Sequence, residues 1–84
     1  MAIYVVERVF PTSLNAADFA KAGEVLAPCI KERDVTWVAS HLSADGMRSV
    51  CLFEAADAER IREANRTAGL PFERVWAATV FRSA

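Results

Sequence analysis

The run Ile3-Tyr4-Val5-Val6-Glu7-Arg8-Val9-Phe10 is apolar in both of its alternating sets, with Ile3, Val5 and Val9 in one and Tyr4, Val6 and Phe10 in the other. Successive side chains of a strand fall on opposite faces of the sheet, so a sheet wet on one side alternates apolar with polar residues. Neither set here reads as solvent-facing, and both surfaces need a cover. The strand-like runs Val35–Leu42, Arg48–Glu54 and Arg74–Arg82 share this two-faced apolarity. Two helical stretches are available, enough for one surface. A second copy of the chain is the simplest cover for the other.

The first helical stretch follows the connector Pro11–Leu14, with Asn15 as its cap and Asp18 in its first turn. Phe19, Ala22, Leu26, Cys29 and Ile30 form its apolar stripe. Pro28 removes a backbone donor inside that helix, a loss of about 3 kcal/mol in a helix interior, and predicts a kink or break near Ala27. The second helix is capped by Asp57, turns Ile61, Ala64, Asn65 and Ala68 inward, and ends at Gly69. Between the helices, Ser43-Ala44-Asp45-Gly46 makes a turn and predicts a hairpin. Its register has two solutions. A three-residue loop pairs Ser43 with Met47 and puts His41 on the face of Ser49, Cys51 and Trp37; this is the register we expect. A two-residue Asp45-Gly46 turn sets His41 beside Val50 and Leu52. The order strand, helix, strand, strand, helix, strand is the ferredoxin-like βαββαβ topology, an α+β fold with a four-stranded antiparallel sheet and both helices on one face.

At 84 residues the chain is expected to be a single domain, residues 1–84, near the size at which a lone core is marginal. Its net charge is −1 and both halves mix the signs, which argues against a nucleic-acid groove or an anionic membrane surface. The glycine-aromatic third-strand signature of RNA-recognition domains is missing from Arg48–Glu54. The opening Met1-Ala2-Ile3-Tyr4 lacks the features of a secretory signal, so the expected compartment is the cytoplasm, where Cys29 and Cys51 stay reduced.

Several side chains can carry chemistry. His41 is the only histidine, a proton shuttle or metal ligand by type, and otherwise a hydrogen-bonded strand residue. One imidazole does not complete a metal shell, so further donors or a second chain's histidine are required. Glu7 interrupts an apolar strand and must be paired, protonated or bound to a cation; Arg8, Arg48 and Arg82 are its expected partners. Cys51 is either a small buried apolar residue or a thiolate donor, and Cys29 belongs to the core stripe. Trp37, Phe53 and Trp76 supply core or interface packing, or the aromatic wall of a ligand pocket. No glycine-rich phosphate loop, serine elbow or paired-cysteine zinc motif is present, and no organic cofactor is expected.

The runs Tyr4-Val5-Val6-Glu7-Arg8 and Val35-Thr36-Trp37-Val38-Ala39-Ser40-His41, then Cys51 followed by Glu54-Ala55, and Gly69-Leu70-Pro71, resemble the small bacterial domain-of-unknown-function family 4242, one branch of which is nickel-binding. The resemblance implies a ferredoxin-like protomer that dimerises sheet to sheet into an α+β barrel. It carries Glu7, Trp37, His41 and Cys51 over as site residues. Relatives often have further histidines, and a glycine where Asp34 precedes Val35-Thr36-Trp37.

Three functions follow as expectations. The first is a homodimer that binds nickel or another late transition metal through Glu7, His41 and Cys51. The second is a cofactor-free enzyme, similar to small monooxygenases or isomerases, that takes an apolar small molecule between Trp37, Phe53 and Trp76. The third is a structural or regulatory dimer with no ligand.

Overall fold

The computed structural model describes residues 1–83. Six elements follow in the order β1 Ala2–Val9, α1 Ala16–Lys31, β2 Thr36–Leu42, β3 Arg48–Ala55, α2 Ala58–Ala68 and β4 Arg74–Ala78. The strands lie in the order β2-β3-β1-β4, every neighbouring pair antiparallel, with both helices on one face: the ferredoxin-like arrangement read from the sequence.

Side chains of one parity meet the helices. Val6 of β1 and Cys51, Phe53 and Ala55 of β3 pack with Ile61 and Ala64 of α2, Leu26 of α1 and Val35. Complete burial of Phe53 and of Ile61 stabilises by about 1.5–3 kcal/mol each. The two helices are not seated alike. The α2 stripe closes on the sheet, with Ile61, Ala64 and Asn65 buried, whereas Leu26 is the one buried residue of α1. Their starts are fixed by the expected caps: Asn15 Oδ1 accepts from the Asp18 amide at 2.8 Å, and Asp57 Oδ1 from the Arg60 amide at 2.9 Å. Gly69 ends α2 in the left-handed region at φ 71°.

Three sequence expectations need correction. Helix α1 runs through Pro28 without a break. Pro28 and Glu24, whose carbonyl loses its donor, both face solvent, and water can satisfy that oxygen. Strand β4 stops at Ala78 instead of reaching Arg82, because its partner runs out: Ala78 already opposes Ile3, and only Ala2 and Met1 remain beyond it.

The hairpin overturns the expected register and adopts the alternative one. Ser43 N donates to Arg48 O at 2.8 Å, so Ala44–Met47 form a four-residue connection in place of a two-residue turn, and His41 pairs with Val50, as in that alternative, instead of with Ser49. The Asp45 carboxylate holds this loop, accepting from Ser43 Oγ at 2.7 Å and from the Met47 amide at 3.0 Å. Gly46 follows at φ 72°, where an added Cβ would collide with the Leu14 carbonyl oxygen. The loop also anchors the β1–α1 connector, through Phe10 N to Met47 O at 2.8 Å and Leu14 N to Gly46 O at 2.9 Å. A second irregularity lies in β2, whose register shifts between Trp37 and Ala39. This bulge moves Trp37 to the face opposite His41.

Candidate functional site

The sheet separates the candidate residues into two groups. On the face away from the helices, His41, Val50, Glu7 and Arg74 form one row across the four strands, and Ala39, Leu52, Val5 and Trp76 form the next. Neighbouring strands lie about 4.8 Å apart, so Val50 keeps the backbones of His41 and Glu7 about 10 Å apart. Glu7 is only half-buried and is not bare. Trp76 Nε1 donates to its Oε2 at 2.8 Å, and Arg74 Nε lies 3.6 Å from the same oxygen. Its ion-pair partner is therefore Arg74, not Arg8, Arg48 or Arg82. Around this row the face is apolar and open, with Val9, Val50 and Trp76 exposed.

On the helix-covered face, Ser40 opposes Cys51 and Trp37 opposes Phe53. Trp37 Nε1 donates to Ser40 Oγ at 2.8 Å, which turns the indole along the rim of a cleft beneath α1. The cleft has a volume of about 650 Å³ and is walled mainly by apolar groups, among them Phe19, Leu26, Leu42, Phe53 and Leu70. Helix α1 makes it by standing off the sheet, so that Phe19, Ala22 and Ile30 of its stripe are only half-buried. Cys51 lies in the wall at 3 % exposure.

One polar residue of this wall was not a candidate from the sequence. Arg8 is 5 % exposed, and its Nη1 donates to Pro71 O at 2.8 Å. Burial pushes its guanidinium below the ordinary value, partly countered by the adjacent Cys51 thiol. None of the salt bridges among the described residues includes Arg8. The signal was its parity. Arg8 alternates with Val6 and Phe10, on the set that the helices cover, whereas Glu7 falls on the other set.

The sequence-derived site residues thus divide between the two faces. Glu7 and His41 share the open face, and Trp76 lies there with them. Trp37, Phe53 and Cys51 meet at the cleft. The sheet stands between Cys51 and His41.

A family model described as nickel responsive protein SCO4226-like matches residues 4–77. The chain belongs to this family. The SCO4226-like fold is also seen directly: the crystal structure of SCO4226 from Streptomyces coelicolor A3(2) superposes with a TM-score of 0.87 at 14 % identity, covering 96 % of this chain and 100 % of that one. No curated protein matches the chain. Among the described residues of this SCO4226-like chain, no three His, Cys, Asp or Glu side chains gather to hold a metal ion. The donors present in a single copy therefore do not fit a metal shell. Cys51 faces the helices, and Glu7 is engaged by Trp76 and Arg74. Among the described residues no helix is long and apolar enough to cross a membrane.

Proposed function

We propose that the protein acts as a homodimer closed across its open sheet face, and that its part in a nickel response falls to His41 and Glu7 contributed by both copies. The observation that carries this reading is their shared row on an apolar face that the helices leave uncovered. One imidazole and one carboxylate are too few donors for nickel, but a twofold interface doubles every donor it contains. Burying Val9, Val50 and Trp76 supplies the drive for association, at about 25 cal/mol per Å² of apolar surface. The family's description as nickel responsive supports the choice of metal. Cys51 drops out of the donor set because the sheet intervenes.

Calorimetric titration with nickel tests the reading. The expected result is one ion bound per two chains, with binding lost in His41→Ala while the far-ultraviolet spectrum is unchanged. Equal nickel affinity in His41→Ala, or a chain that sediments as a monomer with and without nickel, overturns it.

A further inference from the structure

Among the described residues Arg8 is a buried arginine without an acidic partner. A guanidinium presents five N–H donors. Arg8 uses one hydrogen bond to Pro71 O and leans on the Cys51 sulfur, while no carboxylate lies within ion-pair distance among the described residues. A buried charge is ordinarily paired, because leaving it bare is expensive. Here the position faces a preformed cavity. Arg8 contributes to the wall of the cleft beneath α1, whose volume of about 650 Å³ falls in the range of roughly 300–1,000 Å³ that suits a small organic ligand.

We propose that this cleft binds an apolar monocarboxylic acid, its carboxylate paired with Arg8 and its hydrocarbon body held among Phe19, Leu26, Leu42 and Phe53. A carboxylate matches the planar fork of a guanidinium and can take two parallel hydrogen bonds from it. Folding has already removed water from Arg8, so the ligand gains the ion pair without that cost arising on binding. The apolar wall rejects small hydrophilic anions, which have nothing to bury. The other polar side chains of the wall are Ser40, tied to Trp37 Nε1 at the rim, and Glu24 of α1, which is exposed to solvent, whereas Arg8 is buried. The proposal is independent of nickel and of the sheet-to-sheet dimer, since the cleft lies on the opposite face.

Titration of the full chain with octanoate, octan-1-ol and acetate, read by calorimetry and by nuclear magnetic resonance, tests it. Octanoate should bind one per chain, shifting the Arg8 Nε–H signal together with those of Leu26 and Phe53, and leaving His41 and Val50 unmoved. Octan-1-ol should bind about tenfold more weakly or worse, the loss that goes with a charge-assisted hydrogen bond. Acetate should not bind. In Arg8→Met the preference for octanoate over octan-1-ol should vanish, and Arg8→Lys should restore part of it. Absence of octanoate binding at millimolar concentration, equal binding of acid and alcohol to the wild-type chain, or shifts on the open face instead of the cleft would each overturn the assignment. The wild-type comparison stands even if Arg8→Met fails to fold.

Discussion

Asp45 is a residue whose carboxylate ties the β2–β3 loop together. Its carboxyl is held below the usual carboxylate range, first by the Ser43 hydroxyl and then by the Met47 amide. A group whose folded value is depressed contributes stability that is present above the unfolded carboxylate value and lost as pH falls through the folded one. Acid should therefore loosen the β2–β3 loop, and with it the β1–α1 connector bonded to Gly46 and Met47. Asp45→Asn keeps an acceptor oxygen but removes the titration. In urea unfolding across a pH series, the stability gap between wild type and variant should stay level from neutral down to about 4 and narrow only below that. A gap constant with pH would mean the Asp45 charge is unimportant. Asp34 shows the complementary case of a residue held by its surroundings. It takes the left-handed φ of 54° at the position where the family resemblance led us to expect glycine, a conformation that aspartate tolerates better than most side chains.

At the scale of elements, the fold was legible because each helix carries its own stripe and cap and each strand its own alternation; these are local signals. Registers were less so. The hairpin loop depends on how the Asp45 side chain bonds Ser43 and Met47, and one residue more or less sends His41 to the other face. The β2 bulge is invisible in alternation, yet it is what separates Trp37 from His41. Arg8 is legible from parity alone, since it alternates with Val6 on the covered set. The seating of α1 was also hidden, because a stripe says which side faces inward and not how closely it approaches. Pro28 offers a test of that helix. The Glu24 carbonyl lacks an intrahelical donor there, and both residues are exposed, so Pro28→Ala should restore the bond without disturbing the cleft wall. Urea unfolding should show a gain of about 1–3 kcal/mol. A loss of stability would mean that proline is required for the way α1 stands off the sheet.

For the molecule as a whole, one sheet serves two surfaces with different needs. The helix side is a core with a gap beneath α1, and the far side presents Val9, Val50 and Trp76 around the Glu7–His41 row without a cover of its own. A sheet apolar on both faces is stable in water only when both are packed, and a second copy presents a surface of the same character. Val50 is the place to test this, because it is 39 % exposed in the protomer and stands between Glu7 and His41. A lysine there is tolerable in an isolated protomer, with water within reach and Glu7 beside it. Across a closed interface the same ammonium loses its water, at a cost of several kcal/mol unless paired. Val50→Lys should therefore leave the circular dichroism of the folded chain intact while converting a dimer to a monomer in sedimentation at micromolar concentration. Mass action gives an independent readout: the melting temperature of the wild-type chain should rise with protein concentration, and that of Val50→Lys should not. A wild-type melting temperature indifferent to concentration, together with monomeric sedimentation, would leave the open face without its partner and remove the twofold donors on which the nickel reading depends.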